Sequence, residues 1–339
     1  MNINKFIYDR LKSVLALSLI LLLFSCDEQS TEQPVELNND RSLESTFPLK
    51  IRQENYGDST VFSTPRLQFI AKLGSDKKNT LWSMKLDGSD RRQVANSELI
   101  FNGQTIVHTP IRSPDNRYVA VSMDGPDGFF RGILDLKDKT ATRIMKGGGY
   151  PFFNWTSDSE NVIFYSDAEH YNYHLPTKNL TKRPTIYSSG LFLLPDDKEF
   201  LAMKSDGFWI HHFDGTVKKK VKLDVGENRR IKFPIISPDG KIIYFISEGK
   251  GPIQSHWASV DSGELLASEI SKELLGSSSA KPIFSVDLES LLFRRGNYYR
   301  QVNLITKEIK DINMKELGLW EMWGIGKISL INYTPKTDF

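Results

Sequence analysis

The sequence predicts an all-β chain folded as a six-bladed β-propeller, and three observations carry this reading. A Ser-Pro-Asp-Gly turn at residues 237–240 runs straight into the apolar, β-branched and aromatic stretch Ile242-Ile243-Tyr244-Phe245-Ile246. Degenerate copies of this unit recur along the chain. No stretch of useful length carries apolar residues at helical spacing; Ser271 to Leu275 makes at most a turn or two.

The turn has a physical logic. Pro sets φ for the first corner, Asp bonds back to its own backbone, and Gly tolerates φ > 0. Copies stand at Ser113-Pro114-Asp115-Asn116, Thr156-Ser157-Asp158-Ser159, Leu194-Pro195-Asp196-Asp197 and Ser285-Val286-Asp287-Leu288. The anchor residues are therefore Asp115, Asp158, Asp196, Asp239 and Asp287, spaced by 43, 38, 43 and 48 residues. A four-stranded propeller blade repeats every ~40–45 residues. Pro110, Pro234 and Pro282 each precede an anchor by five positions. After each anchor come a second strand, a small polar loop such as Ser205-Asp206-Gly207, and a third strand. An Asp-containing turn such as Phe213-Asp214-Gly215 then leads to a short fourth strand. Four short strands cannot bury both faces alone, whereas radial stacking buries them and leaves only short edges.

The N-terminus reads as a secretory signal over residues 1–25. Lys5, Arg10 and Lys12 precede an apolar core of 11 residues, Val14 to Phe24, short for a membrane span. The core ends in Leu23-Phe24-Ser25-Cys26, which resembles the lipobox of bacterial lipoproteins; Phe24 is bulkier than usual there. Cys26 is the only cysteine, so the chain has no internal disulfide. The resemblance implies acylation of Cys26 and a membrane anchor; the plainer alternative is an incidental thiol. Residues 26–46 carry six carboxylates from Asp27 to Glu44 against Arg41 and read as a flexible acidic tether. The propeller is expected over 47–339. Blade one lacks a clear turn motif and a first strand, so the C-terminal stretches 320–325 and 327–331 are expected to complete it. Two such strands leave a seventh, incomplete blade open.

The turn-plus-strand unit resembles the PD40, or WD40-like, repeat of the TolB type. Leu81-Trp82-Ser83-Met84-Lys85-Leu86-Asp87-Gly88-Ser89-Asp90-Arg91-Arg92-Gln93-Val94 is similar to that family's third-to-fourth-strand hairpin, and the resemblance spans roughly residues 62–335. It specifies fold far better than activity. TolB's separate N-terminal α/β domain has no counterpart here, so the resemblance does not extend to a Tol–Pal role.

A formal charge of +2 argues against a nucleic-acid partner. No Gly-x-Ser-x-Gly elbow is present. Gly147-Gly148-Gly149 leads into a strand rather than a helix, so it is an inter-blade turn and no cofactor is expected. The six histidines show no metal spacing. His170 and His174 are read in a strand-turn-strand context that keeps them off one face. Asp124-Gly125-Pro126-Asp127-Gly128 is a turn rather than a calcium loop. Aligned on the anchors, the position seven residues upstream is His108, Pro151, Ser189, Lys232 and Ala280, near where inner strands enter the channel; Arg112, Asn154, Arg229 and Arg230 lie close in sequence. His108, Arg112, Arg229, Arg230 and Lys232 are therefore candidates for a cationic channel mouth that holds an anionic polymer, carboxylate or peptide terminus. The alternative is that they are solvated strand ends.

The expected function is a lipid-anchored, non-catalytic scaffold of the bacterial cell envelope, on the inner or outer membrane, with a protein or anionic polymer as partner. The alternative is a polysaccharide lyase-like envelope enzyme that uses the channel.

Overall fold

The computed structural model describes residues 52–313 and 329–331, apart from 59, 62, 72–78, 97–98, 101–103, 109, 148–152, 187, 189, 251–253, 267–282, 285–289, 296–297 and 304. Cys26, the acidic tether, Asp287, Pro282, the glycines at 148–149, residues 271–275 and the stretch 320–325 lie outside the described residues.

Among the described residues six sheets follow one another along the chain, antiparallel throughout except for one parallel pair in the first. Blade one holds β1 (Arg52–Gln53), β2 (Arg66–Ala71), β3 (Thr80–Lys85) and β4 (Arg92–Ala95). Blade two holds β5 (Thr105–Ile106), β6 (Ile111–Arg112), β7 (Tyr118–Asp124), β8 (Phe130–Asp135) and β9 (Thr140–Lys146). Blade three holds β10 (Phe153–Trp155), β11 (Asn161–Ser166), β12 (Glu169–His174) and β13 (Asn179–Arg183). Blade four holds β14 (Gly190–Leu193), β15 (Glu199–Met203), β16 (Gly207–His212) and β17 (Val217–Lys222). Blade five holds β18 (Arg230–Ile236), β19 (Ile242–Glu248), β20 (Gln254–Ser259) and β21 (Leu265–Leu266). Blade six holds β22 (Ile283–Phe284), β23 (Ser290–Arg295), β24 (Tyr298–Asn303) and β25 (Ile309–Asn313). The last strand, β26 (Ser329–Ile331), pairs antiparallel with β2 and supplies the missing inner strand of blade one. At the outer edge of that blade β1 runs parallel to β4, an addition that the sequence did not signal.

The ring closes by face-to-face packing. Leu67, Phe69, Trp82 and Met84 of blade one pack with Leu292, Tyr299 and Ile312 of blade six. This direct contact leaves no room for a seventh blade. Ile70, Leu81 and Val94 meet Val119, Val121 and Met123 of blade two on the opposite face. Phe164 and Trp155 pack against Ala120 and Ile133 between blades two and three. Leu201, Phe208 and Ile210 pack against Ile243, Phe245 and Ala258 between blades four and five. Each such buried side chain contributes about 1.5–3 kcal/mol. The second strand of a blade is covered on both faces, which is why the anchor turn is followed by an unbroken apolar run. The outer strand β17 has one buried residue, Val221, and presents Lys218, Lys219, Lys220 and Lys222, which blunt its unpaired edge.

The anchor aspartates have one job. In blade five Asp239 Oδ1 accepts from Ser237 Oγ (2.5 Å) and from Lys241 N (3.1 Å), while Ser237 Oγ accepts from Ile242 N (3.0 Å). Asp115 with Ser113, and Asp158 with Thr156, repeat this arrangement. Asp196 keeps only the bond from Lys198 N, because Leu194 stands where the hydroxyl would be.

The residue after the anchor is left-handed at each of these turns: Asn116 (φ 62°), Ser159 (φ 63°), Asp197 (φ 57°) and Gly240 (φ 72°). At three of these turns it also touches the preceding blade. Ser159 Oγ accepts from Asp115 N (3.0 Å), and Asp197 Oδ2 accepts from Ser157 N (2.7 Å). Gly240 lies against the Pro195 ring. A Cβ on Gly240 would lie 2.6 Å from Pro195 Cδ.

Gly57 has φ +85° and nothing within 4 Å of a built Cβ. Gly57→Ala should cost about 1–2 kcal/mol, the left-handed backbone penalty alone. Gly240→Ala should cost at least ~1 kcal/mol more through overpacking on Pro195. Urea denaturation of the two variants measures the difference; equal costs would mean that the turn-to-turn contact is slack.

Candidate functional site

Inner strands enter the channel at one face of the ring and leave at the other, where the anchor turns lie. Two of them are bent on the way. In β18 the register slips between Lys232, opposite Ile246, and Ile235, opposite Tyr244. Blade two breaks its inner strand into β5 and β6 across residues 107–110. Pro234 and Pro110 sit in these interruptions. A proline cannot donate to the ladder, so the strand bulges there and re-aims its neighbours.

Blade five brings Arg229, Arg230 and Lys232 together at the entry face. Arg229 donates from Nε to Ser247 Oγ (2.7 Å), from Nη2 to Ser247 O (2.7 Å) and from Nη1 to Lys250 O (3.2 Å). Ser247 Oγ also lies 2.7 Å from His256 Nε2, and the His256 ring stacks on Phe245 at 5.1 Å. Because Arg229 only donates, the Ser247 hydroxyl proton is left for the lone pair of a neutral imidazole. Burial, reinforced by the Arg229 charge, pushes His256 below its ordinary pKa. Arg230 is exposed, and Lys232 forms an exposed ion pair with Glu248. His108 is half-buried in blade two. His108 belongs to blade two and the three cations to blade five, three places apart in the ring, so the structure does not bring them together. Pro151, Ser189 and Ala280 lie outside the described residues.

Arg112 does not belong to this rim. It ends the inner strand of blade two, at the anchor-turn face, and is 3% exposed. Its Nη1 pairs with Glu54 at 2.5 Å, and its Nε donates to Asn116 O (3.1 Å). Glu54 follows β1 directly and also accepts from Ser83 Oγ, which in turn accepts from the fully buried Arg66. Two arginines are thus buried near one another, and the N-terminal strand delivers the carboxylate that one of them needs. Nothing in the one-dimensional pattern marks Glu54; only the fold sets it beside Arg112.

Other expected positions are structural. Asn154 stitches blades three and four, donating to Leu191 O (3.4 Å) and accepting from Leu193 N (3.2 Å). His170 and His174 share the continuous strand β12, so they do project from one face, contrary to the strand-turn-strand reading. Four residues of strand separate them by about 13 Å, too far to share a metal. Among the described residues no group of three His, Cys, Asp or Glu side chains is placed to share an ion. The 124–128 loop is a turn closed by Gly128 N to Gly125 O (2.9 Å).

No family model matches the chain, and no curated protein matches it in sequence. Solved structures match it in fold. TolB from Acinetobacter baumannii is 18% identical, aligns over 74% of this chain and 64% of its own, and gives a TM-score of 0.56. A putative TolB from Agrobacterium tumefaciens is 15% identical over 74% of this chain and 88% of its own, with a TM-score of 0.46. An oligogalacturonate lyase in complex with manganese is 10% identical over 74% and 86%, with a TM-score of 0.45. At this identity the likeness is one of fold, a TolB-like six-bladed propeller. The chain spans less than two thirds of the Acinetobacter protein's length.

His170 is also held below its ordinary pKa, by burial, and its Nδ1 accepts from Ile186 N (3.4 Å). A depressed folded pKa means that the unfolded chain takes up the proton first. Stability is therefore fully present above about pH 6.5 and is lost as pH falls from there through the folded values. The melting temperature should drop between pH 7 and pH 5, above the carboxylate range. His256→Gln, which can still accept from Ser247, should flatten that slope; an unchanged slope would show that His256 takes its proton normally in the fold.

Proposed function

We propose that this TolB-like propeller is a lipid-anchored, non-catalytic scaffold of the cell envelope that holds a protein or an anionic polymer at the entry rim of its channel. The observation that carries the reading is the setting of Arg229. Hydrogen bonds to the Ser247 hydroxyl and to the carbonyls of Ser247 and Lys250 fix its guanidinium in place at the rim. Arg230 stands exposed beside it. The Lys232–Glu248 pair is solvent-facing, and such pairs contribute at most about 1 kcal/mol, so an incoming anion can displace Glu248. Arg229, Arg230 and Lys232 supply a cationic rim suited to carboxylates or other anions, with His108 of blade two as a further candidate. The anchor belongs to the same proposal. Acylated Cys26 would hold the propeller to the membrane through the acidic segment that follows it, with the propeller periplasmic or at the cell surface.

The test is capture from envelope fractions by the detergent-solubilised full chain, run beside the His108→Ala, Arg229→Ala, Arg230→Ala, Lys232→Ala quadruple variant. A protein or anionic glycan should be retained by the unaltered chain and lost at least ten-fold by the variant. A partner kept equally by both would move the binding surface away from the rim. Conversion of a captured uronate polymer to unsaturated products would place the chain in the alternative, polysaccharide lyase-like class.

For the anchor, Cys26→Ser should transfer the protein from the membrane fraction to the soluble fraction. Persistence in washed membranes would exclude acylation at Cys26 as the tie.

A further inference from the structure

A second cationic feature lies at the outer side of blade one, on the face of the ring opposite the channel rim. The turn from β3 to β4 closes with Gly88 N donating to Lys85 O (2.9 Å) and Lys85 N donating to Ser89 O (3.0 Å). Asp90 follows in a left-handed conformation (φ 46°). Together with the N-terminal strand, this turn encloses a cavity of about 590 Å³ lined by Arg52, Thr60, Lys85, Asp90, Arg91 and Arg92, among others. Arg52, Lys85 and Arg92 stand there around one lining carboxylate, Asp90.

The single carboxylate is already committed. Asp90 Oδ2 accepts from the buried Arg66 Nη1 (2.8 Å), and both its oxygens lie 3.1 Å from Arg92 Nε. Burial alone would raise the Asp90 carboxyl, but the hydrogen bonds from Arg92 and Arg66 hold it below its usual range. Arg92 is fixed further by Asp58 at 2.7 Å. Asp90 therefore serves as a strut that sets guanidinium groups in position. Arg52 reaches it only at 3.6 Å, with its side chain 69% exposed. The cleft thus holds one rigid guanidinium, Arg92, and one that can swing, Arg52.

We propose that this cleft binds a phosphate group. Planar guanidinium forks match phosphate oxygens in pairs, and a phosphate here would meet the movable Arg52 and Lys85 beside the fixed Arg92. A volume in the range of ordinary ligand sites accommodates the group that bears it. Such a phosphate has two sources: a free phosphate or phosphate ester, or the headgroup of an anionic lipid.

The test uses the full chain carrying Cys26→Ser, so that acylation does not itself drive membrane binding. Thermal unfolding is followed against inorganic phosphate, with chloride at matched ionic strength. Flotation is measured with phosphatidylcholine vesicles with and without phosphatidic acid. Arg52→Glu and Lys85→Glu alter the cleft; Lys241→Glu, exposed in the anchor turn of blade five, is the control. Phosphate should raise the melting temperature saturably, with affinity at least ten-fold weaker in the two cleft variants and unchanged in the control. Flotation with phosphatidic acid that follows the same variants while inorganic phosphate is inert supports the site and assigns the source to lipid. A shift reproduced by chloride, or binding indifferent to Arg52→Glu and Lys85→Glu in both assays, overturns the proposal.

Discussion

A propeller has no layer of helices to cover its sheets. Each blade is buried only by its neighbours, so the spacing and tilt of adjacent blades must be fixed where the inner hairpins turn. In three of the blades one carboxylate oxygen does this. Asp115, Asp158 and Asp239 each gather a hydroxyl and a backbone amide onto Oδ1 and hold the turn in a single shape. The next residue, forced into the left-handed region, points at the blade before it. Ser159 and Asp197 each accept an N–H from the turn before, whereas Gly240 has no side chain and fits against the Pro195 ring. What looks like degeneracy of the repeat is thus pairwise matching between successive turns.

The second organising constraint is charge. Arg66 and Arg112 are buried in and beside blade one, an expensive arrangement unless each meets a carboxylate. Asp90 serves the first and Glu54 the second. Removing one partner of a buried pair typically costs about 3–5 kcal/mol, because the remaining charge is stranded. The short N-terminal strand therefore contributes more than its two ladder positions: it carries the counter-charge for a residue of the next blade.

The fold was legible because the repeat is written in local chemistry. Turn residues, proline spacing and the doubly covered second strand all leave one-dimensional marks, and closure of the ring by β26 followed from the first strand that blade one lacked. The site was legible only in part. Position in the repeat set Arg229, Arg230 and Lys232 at the start of one inner strand, β18. It could not tell that Arg112, only four residues after His108, exits at the opposite face after the broken inner strand. Glu54 and the Arg52–Asp90–Arg92 assembly left no trace, since they depend on strand β1 docking at an outer edge, a non-local pairing of two residues with no repeat behind it. His170 and His174 were misjudged for a simpler reason: the turn expected between them falls before them, at Asp167-Ala168, where both residues are left-handed.

The first and last described strands meet on one blade, β26 innermost and β1 outermost. This gives the ring a mechanical polarity. Tension applied at Arg52 arrives first at the two-residue parallel pairing of β1 with β4 and then, one residue further on, at the Glu54–Arg112 contact. The load is passed sideways into the inner strand of blade two before it reaches the β2–β26 seam that closes the circle. A tug on β1 would peel the outer strand and unseat Glu54 before it opened the ring, so the outer edge of blade one works as a fuse for the channel.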